Sequence, residues 1–165
     1  MRPITLPALA LLTCGLAGCF TAEQSWLNDD NSVAPYQTIT FQESDSTDVN
    51  VLNRVGNAYA LTGGDVTLTL RFMPLPTRPD WYVAEVSGEE AGEVTRLYAV
   101  LNVDPQAGTA ATYLAVAGDE DVGQGLRECE DIMVCIDDLD AYVARALAVI
   151  DSGGEPDEVY AITVE

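Results

Sequence analysis

Val66, Leu68, Leu70 and Phe72 alternate with Thr67, Thr69 and Arg71. A period of two sets all four apolar side chains on one face of an extended chain. Aromatic and β-branched residues suit that conformation. The segment predicts a half-buried strand, whose backbone groups need partners on both edges. Such partners follow in order. Trp81 to Ser87 reads as a second strand. Val94 to Val103 reads as a third, with Leu97, Ala99, Leu101 and Val103 on one face, and Ala110 to Val116 as a fourth. Pro74, Pro76 and Pro79 forbid a regular element between the first two. Gly88 to Gly92 and Asp104-Pro105-Gln106-Ala107-Gly108 supply turns. Strands joined this way predict an antiparallel meander.

Upstream, Tyr36 to Phe41 predicts a short strand, with Ile39 and Phe41 on one face and Tyr36, Thr38 and Thr40 on the other. Residues 49–61 fit neither the helical nor the strand period, and an extended segment is expected there. Downstream, Ile136, Leu139, Val143, Ala146, Leu147 and Ile150 fall on one helical stripe. Asp137 or Asp138 can cap its start, Gly153 or Gly154 can end it, and Pro156 stops it resuming. Tyr160, Ile162 and Val164 then alternate with Ala161 and Thr163, which predicts a last strand in the same sheet. The expected fold class is α+β: an antiparallel β-meander, one C-terminal helix packed on the sheet, and a final short strand.

Composition narrows the chemistry. The chain has 27 acidic residues against 7 basic ones, no histidine, and a net charge of −20. It also has no lysine. The commonest general base, the commonest metal ligand and Schiff-base chemistry are thereby removed. Such a charge repels nucleic acid. No serine stands in a G-x-S-x-G setting.

Three acidic groups bear weighing: Asp45 with Asp48, Asp119-Glu120-Asp121, and Asp137-Asp138 with Asp140. The second invites a calcium-loop reading, but Gly123 stands where a third ligand belongs, and a solvated acidic loop is the simpler reading. Helix capping accounts for the third. Paired carboxylates can hydrolyse glycosides when suitably spaced. No enzyme and no cofactor is expected here. Tyr82, Tyr98 and Tyr113 lie on neighbouring strands and are expected to be packing pairs rather than an aromatic binding patch.

The N-terminus carries a family signature. Met1-Arg2 precedes an apolar run from Ile4 to Leu16, and Leu16-Ala17-Gly18-Cys19 closes it. The run is short for a bilayer span and holds Pro7 and Gly15. The one A-x-A tripeptide, Ala8-Leu9-Ala10, lies too early for an ordinary secretory cut. The stretch resembles the signal peptide and lipobox of bacterial lipoproteins. That resemblance covers residues 1–19 only. It implies cleavage after residue 18, acylation of Cys19, and stable membrane attachment through more than one acyl chain. Phe20, rather than an aspartate, follows the cysteine. By the same resemblance the protein is expected in the outer membrane, facing the periplasm.

Three organisational expectations follow. The signal peptide and the lipidated cysteine come from the resemblance. The tether and the domain come from the residues themselves, since 20–35 lack periodicity and hold turn formers and charge. Residues 1–18 are a signal peptide, 19–35 a lipidated cysteine and flexible tether with a reach of roughly 22 Å, and 36–165 a single acidic domain. Within the tether, Trp26-Leu27 reads as a small anchor against the domain or the lipid surface. Losing Arg2 lowers the mature charge to −21, from 6 arginines against 27 acids.

The resemblance also implies an oxidising compartment, in which Cys129 and Cys135 form a disulfide. Positions six apart on a helix stand about 9 Å apart, whereas a disulfide needs Cα atoms within about 7 Å. Residues 129–135 must then bend, and the helix begins near Asp137. The function expected is that of a lipid-anchored envelope protein with a non-enzymatic accessory or binding role and an envelope partner, met through an exposed sheet edge or the acidic surface. A calcium-dependent binding domain and a small carboxylate-dependent hydrolase are the alternatives.

Overall fold

A computed structural model describes residues 20–43, 46–63, 66–90, 92–114, 123, 125–129 and 134–165. Cys19, the signal segment, Asp45 and the Asp119-Glu120-Asp121 loop lie outside the described residues. The strands are β1 (Phe20–Thr21), β2 (Thr38–Glu43), β3 (Val49–Val55), β4 (Ala58–Gly63), β5 (Val66–Pro74), β6 (Trp81–Glu90), β7 (Glu93–Asp104), β8 (Thr109–Tyr113), β9 (Leu126–Glu128), β10 (Val134–Ile136) and β11 (Glu158–Val164). One helix, α1 (Leu139–Asp151), lies between β10 and β11.

The expected meander under a helix is corrected to a closed barrel. Strands β2 to β8 pair in chain order, each antiparallel to the next, and β11 closes the ring between β8 and β2. Eight strands thus form an up-and-down barrel. The meander order of β5 to β8 holds within it. What differs is the cover. The apolar face of each strand meets the opposite wall of the same barrel, not the helix. Ile39, Phe41, Leu52, Tyr59, Leu61, Leu68, Phe72, Tyr82, Ala84, Leu101, Val103, Tyr160 and Ile162 make one buried cluster inside it. Closure also removes the sheet edges through which a partner strand could add. Among the described residues the edge that remains in the sheet is that of β9, which pairs only with β10.

The ambiguous stretch 49–61 is a hairpin. β3 and β4 pair as Val55↔Ala58 across the two-residue loop Gly56-Asn57. Gly56 takes φ 64°, which a two-residue hairpin loop requires and a side chain resists. The apolar count failed because β3 shows valines outward: Val49, Val51 and Val55 are exposed, and Leu52 alone is buried.

Helix α1 stands on the outer wall. Asp138 caps it, its side chain accepting from the Asp140 and Ala141 N–H groups. Leu139, Tyr142 and Ala146 bury its inner stripe beside Val83 and Val100, which point outward from β6 and β7. The expected stripe omitted Tyr142, which is fully buried, and included Ile136, which belongs to β10.

Residues 20–36 differ from the flexible coil expected for 19–35. β1 lies between β7 and β10. Phe20, Ala22 and Leu27 are buried with the helix cluster, and Phe20 meets Tyr142 at 4.9 Å between ring centroids. Trp26 donates its indole N–H to the Ile136 carbonyl at 3.4 Å. The polar run Asn28 to Ser32 is a turn held by its own side chains: Asn31 Oδ1 accepts from the Asn28 N–H at 2.8 Å. Val33 donates to the Phe72 carbonyl at 2.8 Å, and Ala34 joins the barrel core. Turn formers mark bends in a packed segment as readily as in a loose one.

Cys129 and Cys135 are bonded, with Cα atoms 5.7 Å apart. The bond joins the two arms of the β9–β10 hairpin, in which Cys135 pairs with Arg127. Residues 130–133 lie outside the described residues. The helix starts just after Asp138, close to the expected Asp137.

Candidate functional site

Two places on the barrel concentrate features that a structural role alone does not require. The first is the lumen. Register decides what faces it: Tyr160 pairs directly with Glu43 and Ala110, Ile162 with Phe41, and Leu101 with Tyr82 and Thr112. Directly paired residues share a face. One end is shut. Tyr59, Phe72 and Tyr82 stack there with centroid distances of 5.4 Å, and the Tyr59 hydroxyl donates to the Tyr36 carbonyl at 3.0 Å while accepting its N–H at 2.9 Å. Burial pushes the Tyr36 phenol up to about 12.

Towards the other end, inward residues Leu70, Val86, Leu97 and Thr112 are only half buried. Between the ends lies a cavity of about 100 Å³, lined by Phe41, Leu70, Phe72, Ala84, Ala99, Tyr160 and neighbours. Packed interiors leave few voids larger than a water. At ~24 cal/mol per Å³, unfilled space of this size costs about 2 kcal/mol. An eight-stranded barrel has an interior that side chains fill or that holds one small ligand. This one is incompletely filled.

The second place is the niche around Glu85. Glu85 points outward from β6 and is 2 % exposed. The Tyr98 hydroxyl donates to its Oε2 at 2.5 Å, the Ser25 hydroxyl lies 2.7 and 2.9 Å from its two oxygens, and the Leu27 N–H reaches Oε2 at 3.3 Å. Tyr98 Oη in turn accepts the Trp26 N–H at 3.2 Å. Burial, then the bond to Glu85, push the Tyr98 phenol above its usual range. Three donors, two from residues 25–27 and one from β7, thus converge on one carboxylate. Their effect is to fasten residues 25–27 to the wall. In the sequence Glu85 is one more acid in a strand, and no local signal distinguishes it.

The remaining candidates separate. Tyr82 faces the lumen, Tyr98 faces outward under residues 24–26, and Tyr113 lies on Trp81 with centroids 5.4 Å apart. They form no common patch, and each packs, as the cross-strand reading expects. Asp138 is a cap, and Asp137 accepts from Arg127 at 3.1 Å. Among the described residues no three histidine, cysteine or acidic side chains group as metal ligands. No described helix is long and apolar enough to cross a membrane.

Three arginines make the ion pairs seen among the described residues: Arg71 with Asp29, Arg78 with Asp151, and Arg127 with Glu23 and Asp137. Every acidic partner is at least half exposed, so each pair contributes little. Net repulsion dominates. Raising salt from 0.01 to 0.15 M shortens the Debye length from about 30 to about 8 Å. The melting temperature is expected to rise by a few degrees across that range. A flat or falling curve in a thermal scan would show that local pairs outweigh the net charge.

Fold and site together define a closed antiparallel β-barrel with a partly open, apolar lumen and an outer wall carrying the N-terminal segment and one helix. No protein-family model, curated protein or solved structure matches the chain.

Proposed function

We propose that the chain is a lipid-anchored envelope protein with a non-enzymatic binding role, held in the outer membrane through Cys19 and facing the periplasm. The attachment rests on Leu16-Ala17-Gly18-Cys19 behind the apolar run. The binding role rests on one observation: the barrel keeps an unfilled apolar cavity open towards one end, at a cost in stability. A fold with no ligand to accommodate gains from filling such space. Because Phe20 already lies in β1, the acylated residue is the direct neighbour of a packed strand. The barrel therefore rides close to the bilayer, and an accessory role beside another envelope protein is exercised near the membrane surface.

Replacing Cys19→Ala tests the anchor. The variant is expected to move from the membrane pellet to the soluble periplasmic fraction almost completely. A Cys19→Ala protein that still pellets with membranes defeats the lipoprotein reading. Crosslinking in intact membranes, followed by identification of the joined protein, tests the accessory role; a wild-type barrel that crosslinks to nothing but itself counts against it.

A further inference from the structure

The cavity has a polar rim of one sign. Glu43 pairs directly with Tyr160, and Glu158 directly with Thr112. Tyr160 and Thr112 both line the cavity. The two carboxylates therefore stand on the lumen side, at the end where the inward residues are half buried. The Tyr160 hydroxyl donates to Glu158. Glu43 and Glu158 lie on the neighbouring strands β2 and β11, two positions apart in register. Burial, and then the charge of Glu158, push the Glu43 carboxyl above its usual range. Further inside, the wall is Phe41, Leu70, Phe72, Ala84 and Ala99, without a charged side chain.

An apolar bore behind a rim of acceptors selects by charge. An apolar body gains by leaving water. A carboxylate or phosphate carried at its outer end meets Glu43 and Glu158 and, beyond them, a protein of net charge −20. An ammonium, or a neutral donor, meets two acceptors instead. Room sets the size. A dry cavity of about 150 Å³ holds benzene, so about 100 Å³ suits a short alkyl chain or a small ring.

We propose that the lumen binds a small amphiphile with a short apolar body and a cationic or hydrogen-bond-donating end at Glu43 and Glu158, and that it rejects anionic amphiphiles. This rests on the binding role proposed above and gives it a ligand class.

Three probes of one chain length test it on the mature chain: butylamine, 1-butanol and butyrate. Amide and methyl NMR spectra are followed at low salt, with Ala99 and Leu70 as reporters of the lumen. Butylamine is expected to shift those resonances with a dissociation constant at least tenfold below that of butyrate, with butanol between. Glu43→Gln with Glu158→Gln should reduce the amine-to-acid ratio about tenfold while butanol still binds. Ala84→Leu fills the cavity and should abolish the lumen shifts for all three. Ala110→Val serves the same end should the leucine unfold the barrel, and a loss of amine shifts in either separates the lumen from the acidic surface. Butanol binding with equal affinities for amine and acid overturns the charge selection and leaves the binding role standing. Lumen resonances that stay unmoved by every probe overturn the ligand class. Membrane crosslinking decides the accessory role separately.

Discussion

Replacing Glu85→Ala is expected to lower the unfolding free energy by about 3 kcal/mol. Each buried donor left without an acceptor costs about 1–3 kcal/mol. The substitution removes an acceptor from three donors: the buried Leu27 N–H is left without one, the Tyr98 hydroxyl keeps only the Gln24 carbonyl at 3.4 Å, and the exposed Ser25 hydroxyl is affected least. Ser25 keeps the Leu27 carbonyl as a second acceptor at 2.6 Å, which holds the total near the lower end. Glu85→Gln retains one acceptor oxygen and should lose about half as much. Urea unfolding measures the energies. Location is read by hydrogen exchange: the Leu27 and Trp26 amides should lose protection in the variant while the amides of β4 and β5 keep theirs. Protection unchanged at Leu27, with a loss below about 1 kcal/mol, would mean that residues 20–27 are held by Phe20 and Leu27 packing alone. A Glu85→Ala, Tyr98→Phe cycle should show strong coupling, because both residues serve one network.

Removal of the disulfide by Cys129→Ser with Cys135→Ser should cost roughly 2–2.5 kcal/mol, the loop-closure value for seven residues. For a domain of this size that is a fall in melting temperature of about 5–10 °C. Cys135 is 7 % exposed, so a serine hydroxyl placed there adds a smaller penalty. The loss should spread beyond the hairpin. β10 pairs with β1 through Phe20↔Val134 and Thr21↔Cys135, and Ile136 packs in the helix cluster. Loosening β10 therefore uncovers β1 on one side. Reductant should shift the wild-type melt by a similar amount and leave the double variant unmoved. A wild-type melt insensitive to full reduction, confirmed by intact mass, would show that the hairpin is held by pairing alone.

How far the sequence could be read differed with the range of the interaction. Strand β7 was legible because Leu97, Ala99, Leu101 and Val103 keep one face over its length. Helix α1 was legible because caps, stripe and stop all lie within one window. β3 was not, because its valines face outward and leave only Leu52 as a core residue. The hairpin signal was present all the same: Gly56-Asn57 between two apolar runs is a two-residue turn pair. The polar run at 28–32 misled in the opposite sense. Its side chains close a turn, and what holds the segment is Leu27 on one side and Ala34 on the other.

The sequence by itself determined β2, β5 to β8, β11, the helix and their order, because periodicity, capping and turn chemistry act over a few residues; β1, β3, β4, β9 and β10 carry no such periodicity. It also set the charge and the absence of histidine and lysine. Closure belonged to the tertiary structure. An inward-apolar, outward-polar strand has the same pattern whether its inner face meets a helix or the far wall of a barrel. What decides is pairing between distant segments: the Tyr160↔Glu43 to Val164↔Ile39 ladder that joins the last strand to the first of the barrel. That ladder spans more than a hundred residues of chain and leaves no local mark. The cavity and the acidic rim depend on it, since both are built from strands brought together only when the barrel shuts; the Glu85 niche depends on a different long-range contact, that of residues 25–27 with β6 and β7.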